Sequence, residues 1–252
     1  VRNFTTMTEG SDEHQLVLQL NEYFTEMVRH VFDNNGTLDK FIGDAVMAVW
    51  GNIVTRGPAV DAQDAVATAL LMKQSLAELN KGWKQRGWPQ LAFGIGINHG
   101  EAIVGNLGSV EKMELSVIGD TINLGSRLEG LTKEYHLDLL LGESMASLVR
   151  DRFLLRPVDL VQVKGKTKPV EVFAVLGERR LMETEPKWLK HYEAGLDLYR
   201  NRRFAEALRE FEQSFQLGPD DYINELYIKR CLDYIEHPPG PEWNGVYVMK
   251  KK

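Results

Sequence analysis

The sequence predicts a mixed α/β or α+β domain, a sheet covered by helices, followed by an all-helical tail. Three observations predict it. Over roughly the first 177 of 252 residues, stretches with apolar residues at helical spacing alternate with short apolar runs of strand length. Beyond that point strand signals give way to aromatic and small residues recurring at the spacing of paired helices. With 43% hydrophobic and 26% charged residues, the chain can build a sizeable core and does not read as disordered.

Each element has its own signal. Residues 14–32 carry Leu16, Leu20, Tyr23, Phe24, Met27, Val28 and Val31 at helical spacing, and Asn34-Asn35-Gly36 ends the pattern with turn chemistry. Residues 38–42 and 45–50 read as a strand pair split by Gly43-Asp44. A long Ala- and Leu-rich helix follows over 59–79, with Gly82 and Gly87-Trp88-Pro89 at its exit. Strands over 91–98 and 102–104 flank a His99-Gly100 turn, and a strand over 115–118 leads into a helix over 121–135, with Asp120 as its N-cap. A strand over 137–141, a short helix over 144–149 and a hairpin of 158–163 with 170–175 complete the first part. In the tail, Trp188, Tyr192, Gly195, Tyr199, Phe204, Ala207, Phe211, Phe215 and Pro219 fit one tetratricopeptide-like helix–turn–helix unit. A helix over 222–235 would cap it. One unit is short of a solenoid, so the tail is expected to pack on the main domain or on a partner.

Composition excludes several classes. The net charge of −6 argues against a broad nucleic-acid surface, which needs clustered basic residues. A single cysteine, Cys231, excludes an internal disulfide framework and suggests a reducing compartment. No run approaches the roughly 18 apolar residues of a membrane-spanning helix, and no signal peptide opens the chain. The first residue is Val1 rather than Met, so the chain reads as a piece of something longer.

Few residues carry chemistry on their own pattern. Asp44 and Asp120 each follow a glycine at the end of an apolar strand; Asp44 there is either a turn former or a metal ligand, whereas Asp120 is explained as the cap of the helix it precedes. Asn123 and Arg127, spaced i, i+4, share a helix face. They read either as solvated surface or as a pair able to stabilise charge on phosphate or ribose oxygens. The basic turn Lys164-Gly165-Lys166-Thr167-Lys168 is a hairpin tip or an anion contact. His30, His99 and His136 lack partners at a diagnostic spacing and read as structural. A Walker A loop, an HExxH helix, a CxxC pair and a GxSxG elbow are all absent.

Taken together, residues 1–177 resemble the class III nucleotidyl cyclase catalytic domain. The blocks VRNFTT at 1–6, GTLDKFIGDAVMA at 36–48, GIGIN at 94–98, GNLGS at 105–109, VIGDTINLGSRLE at 117–129 and VKGK at 163–166 carry the resemblance. It implies an α+β fold with a ferredoxin-like βαββαβ core, working as a head-to-tail homodimer with two shared active sites. It also implies roles. Asp44 and the backbone carbonyl of Val1 match metal-binding positions. Phe4, Thr5 and Thr6 match the turn that meets the triphosphate, and Lys164 matches the lysine on the terminal phosphates. Asn123 and Arg127 match the pair that orients ribose and stabilises the transition state. The family's first metal aspartate falls one position before Val1. Glu101 stands where some relatives carry a phosphate-binding arginine and is left out of the site.

Base choice falls to Lys40 and Ser116, which match the purine-reading positions of adenylate cyclases in their lysine and hydroxyl subgroup. Lysine can donate to adenine N1 and a hydroxyl can accept from the N6 amino group. The resemblance thus implies an adenylate cyclase that turns ATP into 3′,5′-cyclic AMP and diphosphate with two divalent cations, Mg²⁺ or Mn²⁺. Its alternatives are a guanylate cyclase, or a catalytically silent nucleotide-binding or scaffold domain acting through its helices. The expected organisation is a catalytic domain over 1–177, a tetratricopeptide-like extension over 178–237 and an irregular tail over 238–252. The expected location is cytoplasmic, with any membrane contact made through an upstream segment, no nucleic-acid partner, and a possible protein partner on the C-terminal helices.

Overall fold

The structure, a computed structural model, describes residues 1–10, 12–162, 168–218 and 222–248. In chain order the elements are α1 (Phe4–Gly10), α2 (Glu13–Asp33), β1 (Thr37–Ile42), β2 (Ala45–Val49), α3 (Pro58–Gln85), β3 (Ile95–Ile97), β4 (Ile103–Gly108), β5 (Met113–Ile118) and α4 (Asp120–Glu134). They continue with β6 (Leu139–Gly142), α5 (Glu143–Val149), β7 (Phe153–Gln162), β8 (Val170–Glu178), α6 (Lys187–Arg200), α7 (Phe204–Leu217), α8 (Tyr222–Glu236) and β9 (Tyr247–Val248). No described helix is long and apolar enough to cross a membrane.

The sheet expected as one unit is described as three. A five-stranded sheet has the order β3-β6-β8-β7-β9, while β1-β2 and β4-β5 stand as separate antiparallel ribbons. Strand β3 pairs with β6 in parallel, and β6 with β8 and β8 with β7 antiparallel. Residues 238–252, expected to be irregular, contribute β9, which pairs in parallel with the end of β7.

Both faces of the five-stranded sheet are buried, which explains its near-continuous apolar runs. Alternate residues go to opposite faces: Leu139, Leu141, Phe153, Leu155 and Phe173 meet α3 and α5. Leu140, Leu154, Val172 and Ala174 face α4 and the helices α6 to α8. The tail therefore shares a core with the sheet. A third cluster joins α2 to α3 through Tyr23, Met27, Leu76 and Trp83, closed by Leu91 and Phe93.

Two helix boundaries differ from expectation. Helix α3 runs through Gly82 to Gln85, because Trp83 is fully buried and its indole N–H donates to Glu22 of α2 at 2.8 Å. At α4 the N-cap is Gly119, with no side-chain capping bond, and Asp120 is the first helical residue. The expected Asp120 cap is therefore corrected: the chain turns one residue earlier, and Asp120 lies inside the helix. In the tail, the expected pair of helices and its cap are present. Gly195 lets α7 approach, since a Cβ there would meet the Phe211 ring at 3.0 Å.

Candidate active site

The β1-β2 ribbon presents Asp44. Ile42 pairs with Ala45, leaving Gly43 and Asp44 as a two-residue hairpin loop. Gly43 has φ +61°, a conformation that favours glycine at the first loop position. The Asp44 carboxylate keeps a quarter of its surface exposed, and its Oδ2 lies 2.6 Å from the Val1 backbone nitrogen. Val1 and Arg2 are held nearby because the Arg2 backbone N–H donates to Ala92 O at 2.7 Å and its Nε to Phe93 O at 3.0 Å. Beneath the loop, burial pushes the Tyr23 phenol up to about 12, with the Asp44 charge adding to the shift, so Tyr23 stays protonated. Loss of solvent raises the Glu129 carboxyl, the Asp44 charge adds to the shift and the Arg2 guanidinium opposes it.

A second group forms where β1 meets β5. The Ser116 hydroxyl donates to Asp39 Oδ2 at 3.0 Å, and Lys40 Nζ lies 3.6 Å from the same oxygen. Ser116 is buried, whereas Lys40 keeps about a third of its side chain exposed. Lys40 and Ser116, 76 positions apart in sequence, are thus drawn together by a carboxylate that sequence reasoning gave no role.

Helix α4 carries the third group. Asn123 is exposed and Arg127 half-buried. Among the described residues, Arg127 Nη1 is buried with no hydrogen-bond partner. The helix is pressed against β3: a Cβ on Gly96 would lie 2.2 Å from Gly125 O and 2.3 Å from Glu129 N. That contact explains GIGIN, since only glycine allows so close an approach.

Phe4, Thr5 and Thr6 form the first turn of α1, following Asn3, whose φ is +55°. Lys164 lies outside the described residues. Two of the histidines expected to be structural have side-chain neighbours: His30 Nε2 lies 2.7 Å from Ser75 Oγ, and the His136 ring stacks on Tyr222 at 4.1 Å.

A divalent metal calls for hard oxygen donors. Among the described residues, no three His, Cys, Asp or Glu side chains cluster to hold an ion. Asp44 supplies one accessible carboxylate. This suits an ion such as Mg²⁺, which commonly takes one or two carboxylates and fills its shell with phosphate oxygens and water.

Residues 1–177 match the family model described as the adenylate and guanylate cyclase catalytic domain. The terminal-differentiation-specific adenylate cyclase of Dictyostelium discoideum is 34% identical over 242 residues, covering 94% of this chain and 11% of that protein. Among solved structures, the adenylyl cyclase CyaB from P. aeruginosa matches at a TM-score of 0.67 and 33% identity, covering 72% of this chain and 92% of that one. The guanylyl cyclase Cya2 matches at 0.65 and 31%, covering 75% and 91%. The chain spans between 11% and 35% of the lengths of three adenylate cyclases to which it is similar.

Proposed function

Because the chain belongs to the adenylate and guanylate cyclase catalytic-domain family, we propose that it supplies the catalytic centre of an adenylate cyclase forming 3′,5′-cyclic AMP and diphosphate from ATP. The observation that carries this reading is the meeting of Lys40 and Ser116 on one Asp39 oxygen. Lysine offers protons to adenine N1, and the serine oxygen offers lone pairs to the N6 amino group. Guanine presents N1–H and O6 instead, setting a proton against the Lys40 ammonium.

The remaining roles follow from charge and placement. The Asn123 amide orients the ribose, and Arg127 supplies fixed positive charge as negative charge builds on the α-phosphate oxygens. Phe4, Thr5, Thr6 and Lys164 take the triphosphate. Asp44, with the Val1 carbonyl, would hold Mg²⁺ or Mn²⁺. When bound, two such ions supply the Lewis acidity that activates the ribose 3′-hydroxyl and steadies the departing diphosphate. In the reaction the 3′-oxygen bonds to the α-phosphorus, the α–β anhydride bond breaks and the hydroxyl proton is lost.

We read the site as shared between two copies arranged head to tail. The support is the exposed apolar surface of the β4-β5 ribbon, where Ile103, Val110, Met113 and Leu115 are all at least 55% exposed. The order α2-β1-β2-α3-β3 supports a ferredoxin-like core. The aromatic packing of α6 on α7 supports a tetratricopeptide-like extension over 178–237, able to receive a protein partner, beyond a catalytic domain over 1–177. A cytosolic setting fits the lone, buried cysteine.

The test is product formation from ATP and GTP in parallel, with Mg²⁺ or Mn²⁺, by the full-length protein that bears this chain. Cyclic AMP is expected in excess over cyclic GMP, and Asp44→Ala is expected to abolish it. Preference for GTP, or no cyclic product from either nucleotide, would overturn the reading.

A further inference from the structure

Asp39 marks where Lys40 and Ser116 meet but was given no chemical role of its own above, yet the base-reading pair is organised around it. The pairing of β1 with β2 slips between Leu38 and Lys40, which makes Asp39 the extra residue of a β-bulge. Bulges re-aim side chains. Here the Asp39 side chain is 4% exposed and reaches across to β5, where its Oδ2 accepts the Ser116 hydroxyl at 3.0 Å. Lys40 Nζ lies 3.6 Å from that same oxygen.

The chemistry of these three groups is restrictive. A serine hydroxyl has one proton and two lone pairs, and an ionised carboxylate can only accept. With its proton committed to Asp39, Ser116 can offer a ligand lone pairs alone. Lys40 can offer only protons, and its attraction to the same carboxylate limits where its ammonium sits. The cross-strand neighbour of Ser116 is Gly105, beside which a side chain would meet nothing within 4 Å, so the strand face there is open.

We propose that Asp39 is the positioning residue that sets base preference: by holding the Ser116 proton it makes that position an acceptor, matched to the amino group of a 6-aminopurine nucleotide and mismatched to the carbonyl of a 6-oxopurine. The inference rests on the adenylate cyclase reading and adds to it a carboxylate that never touches the nucleotide.

Asp39→Asn in the full-length protein is the discriminating substitution. Asparagine keeps the size of the side chain but can donate to Ser116, freeing the hydroxyl proton to turn toward a ligand. Two quantities are measured for ATP and GTP: kcat/KM, and the Kd of a non-cyclisable analogue of each. The ATP-over-GTP preference is expected to fall about tenfold, the scale of one hydrogen bond gained or lost, with part of the change arising from improved GTP binding. Ser116→Ala should also lower the preference, and adding Asp39→Asn to it should change the preference no further. An equal loss for both nucleotides in Asp39→Asn would reduce Asp39 to a packing role and overturn the proposal, as would an unchanged preference in Ser116→Ala. The two readings fail separately. A wild-type protein that prefers GTP or binds neither analogue defeats the adenylate cyclase reading itself, while a wild-type ATP preference that survives in Asp39→Asn defeats only the role of Asp39.

Discussion

Arg127 Nη1 is buried without an acceptor among the described residues. An unpaired buried donor costs a fold about 1–3 kcal/mol, a cost that an anion from outside the chain would relieve. Arg127→Ala is therefore expected to lower cyclic AMP turnover by on the order of 10²–10³, while thermal melting shows an unchanged or raised Tm. Activity and Tm falling together would instead make Arg127 a structural residue. If sites are shared across a dimer, mixing Arg127→Ala with Asp44→Ala should restore activity that neither has alone. By position and spacing alone Asp44, Asn123 and Arg127 fit a turn former or a solvated face as well as a site; the resemblance of their sequence blocks to the cyclase family is what made them, and Lys40, candidates. Asp39 was not legible, because a one-residue bulge leaves no trace in the alternation of apolar and polar residues. The start of α4 was misread for a related reason: an aspartate after a glycine fits either the cap or the first helical position, and only the backbone decides.

Glycines at the elements' contacts separate packing from mere flexibility. Gly96 sits where α4 presses on β3, and any Cβ there would overlap the backbone of Gly125 and Glu129. Gly96→Ala should push back the helix that bears Asn123 and Arg127, costing about 1–3 kcal/mol and a larger share of activity than of stability. Gly82 lies inside α3 with nothing within 4 Å of a Cβ. Gly82→Ala should therefore stabilise by about 0.5–1 kcal/mol in urea unfolding. Gly82 looked like a helix stop in the sequence, yet the buried Trp83 carries the helix past it, a tertiary preference stronger than local propensity. The same stretch makes stability depend on pH. Glu22 of α2 takes both guanidinium arms of Arg86 and the Trp83 N–H, and these bonds hold its carboxyl below the usual range, against the desolvation that would raise it. A lowered folded pKa gives stability that is complete above the ordinary carboxylate pKa and lost as acid protonates the folded group. Glu22→Gln should thus lower Tm at neutral pH and flatten its fall below the usual carboxylate range. A wild-type and a variant with parallel acid limbs would discount the pair.

Across the whole molecule, the tail and helix α4 meet at one buried carboxylate. Asp159, in β7, has a side chain 1% exposed. It accepts from the hydroxyl of Tyr135 at the end of α4 at 2.8 Å, and from Arg230 of α8 at 2.8 Å. Tyr227 of α8 lies 3.1 Å from its other oxygen. Burial together with the Asp159 charge raises both phenols, which stay protonated and keep donating. Two further contacts hold the same end of α4: Tyr247 reaches Glu134 at 3.3 Å, and Tyr222 stacks on His136. The helical spacing of the tail was legible, but the surface it covers was not, because a lone aspartate among the valines of β7 reads as solvent-facing until Arg230 is seen above it. This arrangement predicts one cooperative unit rather than a catalytic body with a detachable appendage. Arg230→Met leaves Asp159 buried without its cation and should cost about 3–5 kcal/mol. The double variant Asp159→Leu/Arg230→Met, which removes both charges, should recover part of that loss. Chemical unfolding followed by circular dichroism and by cyclase activity should give a single coincident transition in the wild type, moved as a whole by Arg230→Met. If activity instead outlives a first transition confined to the tail, the clamp on α4 has no bearing on catalysis and the helices act only outward.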